Sequence, residues 1–327
     1  MREAQDHLKH SEVDRDVCPV CGSDGYFSFE SRDLMYDKHE KFQYLICRNC
    51  KSEYQSPLPS GSKIASFYPD DYDQYAPLKR QKRRSHAKTA VLKYHYGYAH
   101  LPAPPMPYRL GSRVLAAIKY KDELPYVADG RALDIGCGNG RFIRSMNSLG
   151  WRSEGVEFSE TAVAVCRQAG LKVFHGELEK AGFDNGSFDL VTARHLIEHV
   201  TDPAALVAEI ARILKPGGRA AFETPNNQSF GKKLFGKLWY ANDVPRHLVL
   251  FNPASLALLA EKNGLRLLYS KTFASPKIPL NSWDYLIGNR GKPSRKRKMR
   301  RLLVRPFALF ASLFNKGDTL FAVFEKA

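Results

Sequence analysis

The stretch that most constrains this chain runs from Arg131 to Gly140, RALDIGCGNG, where a short apolar run breaks into three glycines at alternate positions. A run of this kind bounded by glycine reads as a buried strand. The glycines let the backbone turn tightly and aim the N–H groups of a following helix at a ligand. The pattern then repeats. RSEGVEF (152–158), LKVFH (171–175), FDLVTAR (188–194), GRAAFETP (218–225), LRLLYSKTF (265–273) and TLFAVFEKA (319–327) read as further strands. Helical segments lie between them: GRFIRSMNSLG, ETAVAVCRQAG, PAALVAEIARILKPGG and PASLALLAEKNG, the last two with proline early and all with glycine late. Short strands alternating with crossover helices predict an α/β fold on a mostly parallel sheet of seven strands.

A glycine-rich turn alone serves NAD, FAD or S-adenosylmethionine. Arg141 stands where a dinucleotide fingerprint has its third glycine. Glu157 ends the second strand, where a carboxylate can accept both ribose hydroxyls, and Glu177 follows the third. Taken in order, LDIGCGNG, VEFSE, GELE, GSFDLVTARHLIEHVTDP and LKPGGRAAFETPN resemble the successive motifs of class I S-adenosylmethionine-dependent methyltransferases over about 129–274 plus the final strand. The resemblance implies a Rossmann-like seven-stranded sheet and a site for S-adenosylmethionine. Asp134, Gly136, Cys137 and Gly138 would surround the methionine end of the cofactor. Glu157 would hold the ribose with Phe158 beside the adenine, Glu177 and Leu178 would address the adenine ring, and the backbone near Arg194 would face the methionine amino group. Glu177 departs from the more usual Asp.

Methyl transfer from a sulfonium is an in-line displacement in which the enzyme chiefly positions the acceptor. An acceptor hydroxyl also calls for a general base, most often histidine. His195 and His199 flank HLIEH after the fourth strand, and His247 lies in NDVPRHLVLFNP, within an inserted stretch (225–252) expected to wall the acceptor pocket. These three are the candidate catalytic residues, against the plainer role of structural hydrogen bonding. HLIEH also matches an inverted zinc-protease pattern, which needs a long helix and is rejected at a strand-to-loop junction. Arg-His-Leu-Ile replaces the Asn/Asp-Pro-Pro-aromatic motif of base-amino methyltransferases, so that chemistry is not expected.

Cys18-Pro-Val-Cys21 and Cys47-Arg-Asn-Cys50 form two C-x2-C pairs separated by 25 residues. Four thiolates suit a closed tetrahedral zinc site with no open position, hence a structural one. The aromatic segments between the pairs read as short strands, giving a zinc ribbon at about 16–56. Cys137 and Cys166 lie too far along the chain to join it. The expected organisation is 1–56 zinc ribbon, 57–128 linker and helical arm, and 129–327 methyltransferase domain with a basic, amphipathic insertion at 275–316.

The net charge of +16 is concentrated: KRQKRRSHAK (79–88) carries six Lys/Arg and RGKPSRKRKMRR (290–301) eight, with no acid in either. Such runs point to a polyanionic partner, or simply to solvated basic segments. Residues 290–316 join basic side chains to LLVRPFALFASLF, a segment too short to span a bilayer but suited to an anionic membrane surface, or to packing as an ordinary helix. The charged N-terminal residues carry no secretory signal, and no apolar run reaches transmembrane length. The chain is therefore expected in the cytoplasm, with peripheral contact at the inner membrane face.

The arrangement of ribbon, SPLPSG…FYPDDY segment and catalytic domain is similar to bacterial polysaccharide- and sugar-associated methyltransferases. That likeness implies a hydroxyl of a sugar, glycan or lipid-linked small molecule as acceptor. One alternative is an rRNA or tRNA methyltransferase using the basic segments as its nucleic-acid surface, although neither run interleaves aromatics for base stacking. The other is a non-catalytic binding protein built on the cofactor fold.

Overall fold

Aromatic alternation between the cysteine pairs folds into an antiparallel hairpin, β1 (Gly25–Arg32) with β2 (Lys41–Cys47), and β2 pairs antiparallel with β3 (Glu53–Gln55). A computed structural model describes residues 17–68, 78, 83–118, 120, 123–289 and 295–327. Residues 79–82 of the first basic run and 290–294 of the second lie outside the described residues. Three helices follow the hairpin: α1 (Gly61–Ala65), α2 (His86–His95) and α3 (Met106–Ile118). Then come β4 (Arg131–Ile135), α4 (Arg141–Asn147), β5 (Arg152–Glu157), α5 (Glu160–Gln168), β6 (Val173–His175) and β7 (Phe188–Arg194). The chain continues through α6 (Pro203–Ile213), β8 (Leu214–Pro225), α7 (Phe230–Phe235), β9 (Val249–Leu250), α8 (Pro253–Lys262), β10 (Leu265–Phe273), α9 (Lys277–Leu286), α10 (Arg295–Leu313) and β11 (Thr319–Lys326).

The main sheet has the order β10-β11-β8-β7-β4-β5-β6. β4, β5, β6, β7 and β8 pair in parallel, while β11 inserts antiparallel between β8 and β10. This is the expected Rossmann-like sheet, and its helices start where side chains can cap them. Ser159, Asp202 and Asn252 accept backbone N–H bonds at the starts of α5, α6 and α8.

One boundary differs from the sequence reading. The segment expected to stay helical through LKPGG is helical only to Ile213, and Leu214 is already extended (ψ 141°). Lys215 precedes Pro216, whose ring disfavours helical backbone at the residue before it. The strand absorbs the excess as a bulge, since Phe188 faces Leu214 while Leu190 faces Arg219.

The core lies on both faces of the sheet. On one, Leu206 and Ile210 of α6 and Leu256 and Leu259 of α8 cover Leu133, Val191 and Phe222. On the other, Met146, Leu149 and Trp151 join Leu92, Tyr98, Leu101 and Leu124 from the arm. Each fully buried Leu or Phe contributes about 1.5–3 kcal/mol, so the arm holds the sheet as well as connecting it. β9 does not belong to the main sheet: it pairs antiparallel with β3, completing a four-stranded sheet β1-β2-β3-β9. Two residues of the stretch after β8 are thereby the outer strand of the ribbon's sheet. Among the described residues no helix is long and apolar enough to cross a membrane.

Candidate functional site

The glycine turn after β4 has the geometry its sequence demands. Gly136 and Gly140 have φ of +66° and +76°, and a Cβ on Gly140 would stand 2.4 Å from Leu171 Cδ1. Side chains are excluded there both by backbone conformation and by space. A cleft of about 410 Å³ opens over the turn, lined by Asp134, Gly136, Cys137 and Arg194 and, from the arm, by Tyr98 and Glu123. Asp134 is buried and accepts the Thr192 hydroxyl at 2.6 Å. Burial pushes its carboxyl up to about 6, against the pull of Thr192 and Arg194.

Glu157, at the end of β5, reaches across to the turn. Its two oxygens accept the Gly138 N–H at 2.7 Å and the Ser159 N–H at 2.9 Å. An ionised carboxylate has about four acceptor positions, so two remain for a pair of vicinal hydroxyls. The Phe158 ring is 69% exposed, Glu177 is exposed and paired with Lys180 at 2.8 Å, and Leu178 is buried. Asp134, Gly136, Cys137 and Arg194 thus meet at one cleft with Gly138 and Glu157 joined beside it. Phe158, Glu177 and Leu178 lie beyond its lining. Cys166 is a fully buried core residue packed with Cys137 and Ile143.

After β7 the chain makes a single tight turn, Ile197–His199, rather than a helix, so His195 and His199 do not converge on one ion. His195 points its two nitrogens at two carboxylates, Glu198 Oε1 at 3.2 Å and Glu223 Oε1 at 3.5 Å. Burial opposes its protonation, but the two carboxylates outweigh burial and raise it to about 10. His199 instead meets His247, ring centroids 4.7 Å apart and edge to face. Burial, then the neighbouring His247, pushes His199 down to about 4.

The hydrogen bonds fix both rings. His247 Nδ1 lies 2.9 Å from the Ala241 carbonyl, and His199 Nδ1 lies 2.9 Å from the Arg246 carbonyl and 2.8 Å from the Tyr68 hydroxyl. A carbonyl only accepts, so each Nδ1 carries a proton and each Nε2 is the atom left to face a ligand.

Sequence reasoning did not find the supports of this cluster. Arg246 is fully buried and reaches Asp33 at 2.7 and 3.2 Å and Asp243 at 2.6 and 3.1 Å. The Tyr44 hydroxyl donates to the His247 carbonyl at 2.8 Å. Lys232 pairs with Glu53 at 2.7 Å, and the Asn252 side chain donates to the Cys50 carbonyl at 3.0 Å. Asp33, Tyr44, Cys50 and Glu53 come from the N-terminal hairpin and its loops, far away in sequence. Only the spacing of Asp243, Arg246 and His247, three and four apart, could have been read as a local cluster.

The four ribbon thiols converge. Cys18 and Cys50 sulfurs are 3.6 Å apart, those of Cys21 and Cys47 3.4 Å, and none is in a disulfide. All four sulfurs lie within 4.8 Å of one another, a group able to hold a metal ion.

A family described as a methyltransferase domain matches residues 106–270. A ubiquinone biosynthesis O-methyltransferase of Thiobacillus denitrificans is 32% identical over 161 residues, 45% of this chain and 69% of that protein. The protein of the same description from Aromatoleum aromaticum is 36% identical over 153 residues, 42% of this chain and 65% of its own length. The match thus spans about two thirds of these relatives. Among solved structures, an S-adenosylmethionine-dependent methyltransferase from Mesorhizobium loti is similar at 19% identity and a TM-score of 0.45, over 66% of this chain and 97% of that one.

Proposed function

The chain belongs to the methyltransferase-domain family and is an S-adenosylmethionine-dependent methyltransferase; from that premise we propose that it methylates a hydroxyl of a lipid-linked small molecule or glycan. The observation that carries the hydroxyl is the pair of half-buried His199 and buried His247, each with Nδ1 tied to a carbonyl and Nε2 open. Relatives whose name specifies O-methyl transfer support it.

S-adenosylmethionine supplies a methyl group made electrophilic by its sulfonium. Asp134, Gly136, Cys137, Gly138 and the backbone at Arg194 hold its methionine end, and Glu157 takes the ribose. Phe158, Glu177 and Leu178 are positioned for the adenine only if that ring lies outside the cleft. His199 and His247 face the acceptor oxygen and help remove its proton. His195, between two carboxylates, serves better as a held cation that orients Glu198 and Glu223 than as a base. A zinc ion bound by Cys18, Cys21, Cys47 and Cys50 fits four convergent thiols, because Zn–S bonds of about 2.3 Å place sulfurs a little under 4 Å apart. Its role is to fix the hairpin that props His247.

The lipid link rests on α10. Val304, Ala308 and Ala311 pack inward, while Leu302, Leu303, Leu309, Phe310 and Leu313 are more than half exposed among basic residues. Such a face suits an anionic membrane surface. An RNA acceptor is less favoured, since Arg297 and Arg300 are taken up by Asp284 at 2.6 and 2.9 Å.

The test pairs calorimetry with labelled transfer. The intact protein is expected to bind S-adenosylmethionine at micromolar Kd and Glu157→Ala to lose at least tenfold. Unchanged binding in the variant would remove Glu157 from the site. Methyl label from S-adenosylmethionine, offered membrane-lipid and RNA extracts together, is expected in the lipid fraction. Label confined to RNA would overturn the acceptor assignment.

A further inference from the structure

Glu198 is fully buried, yet only its Oε1 has a polar neighbour close by, His195 Nδ1 at 3.2 Å, and Oε2 accepts no hydrogen bond among the described residues. An ionised carboxylate oxygen left dry and unpaired costs several kcal/mol unless something charged satisfies it. The Arg246 guanidinium, whose own carbonyl holds His199, is committed to Asp33 and Asp243. The Nε2 atoms of His199 and His247 likewise take no hydrogen bond among the described residues. His247 Nε2 stands 4.0 Å from Glu198 Oε1 and 3.8 Å from Asp243 Oδ2, close without being bonded.

We infer that Glu198, His199 and His247 form a binding site for one divalent cation in the wall of the acceptor pocket, separate from the four-cysteine group. One ligand atom from each of the three lies within 4.8 Å of the other two. Bonds of about 2.0–2.2 Å to nitrogen and oxygen require these atoms to close in by an ångström or less. The outer arrangement is that of a metal site. Each histidine gives its other N–H to a backbone carbonyl, which sets the tautomer and aims the lone pair. Two imidazoles and one carboxylate leave coordination positions open and suit zinc, iron, cobalt or manganese.

The purpose of the site rests on the hydroxyl-acceptor reading: with both Nε2 atoms on the ion, the two histidines would help remove the acceptor proton through the ion and not as bases, and an acceptor oxygen at an open position would lose that proton to solvent more easily. The oxygen would then form its bond to the methyl carbon as the carbon–sulfur bond breaks, the electron pair leaving with the thioether. The site itself is read from the cluster alone.

Cobalt(II) separates the two metal groups in the full-length protein. Bound to thiolates it shows intense near-ultraviolet charge transfer; bound to nitrogen and oxygen it shows only weak visible bands. Titration of chelator-stripped protein with Co²⁺ is expected to give two ions per chain, one without thiolate bands. Glu198→Gln and His247→Gln are each expected to bind one, with thiolate bands and S-adenosylmethionine affinity retained. One Co²⁺ per chain in the unaltered protein, all of it thiolate-bound, would overturn the site even if a variant failed to fold. Two ions per chain with no label in lipid would leave the site standing and remove the acceptor reading. One ion with label in lipid would do the reverse.

Discussion

Asp318 shows how a single residue can carry a pH dependence. It is fully buried, and one oxygen accepts Trp239 Nε1–H at 2.8 Å and the Ser229 hydroxyl at 3.0 Å. Burial pushes its carboxyl up to about 6, although both donors pull the other way. In the unfolded chain it titrates near 3.9. Between those values the folded protein holds a proton that the unfolded chain does not, so this group adds stability as pH falls through 6, levelling off below about 4. Asp318→Asn removes that gain. The stability of the variant relative to the parent is expected to drop by about 2–3 kcal/mol from pH 8 to pH 4, read from urea unfolding midpoints. Parallel curves for the two proteins would show that the aspartate is charged throughout. Nothing in the sequence marks Asp318, because its burial is created by α7 and the turn at Trp239. Asp134 and Glu157 were legible as placed carboxylates, Asp134 because glycines follow its strand and Glu157 because it ends the next one.

Elements were legible to the extent that local signals set them. β7 and β10 begin and end where the alternation does, and α5, α6 and α8 start at their capping residues. The end of α6 shifted because the proline outweighed the apolar periodicity. β9 could not be read, because two residues have no period and their partner strand lies near the other end of the chain. The start of α8 joins the two sheets. Asn252 caps the helix in a reciprocal box with Ser255 while its amide reaches the Cys50 carbonyl. Asn252→Ala is expected to cost about 2 kcal/mol, the sum of a lost cap and a lost buried hydrogen bond. Asn252→Ser, which keeps the cap and loses the reach, is expected near 1 kcal/mol by thermal denaturation. Equal losses would mean that the bond to Cys50 contributes nothing.

For the molecule as a whole, the five cofactor motifs made the seven-stranded sheet readable. The junction with the ribbon was hidden, since it is built from contacts between residues that no local pattern connects: Asp33 with Arg246, Tyr44 with His247, Tyr68 with His199. These contacts assign the halves different tasks, and disturbing the ribbon should separate them. Cys47→Ser is expected to lower methyl transfer at least tenfold while changing S-adenosylmethionine affinity less than threefold, because no described ribbon residue lines the cleft over the glycine turn. Matched losses of binding and turnover would show that the ribbon supports the whole fold and not the acceptor wall alone. β9 carries one more consequence. A strand that closes one sheet and is spliced into the chain of another cannot be inherited separately from either. A chimera that exchanges residues 17–68 for those of a relative must also carry 226–252, and acceptor preference should travel with the two segments as one cassette.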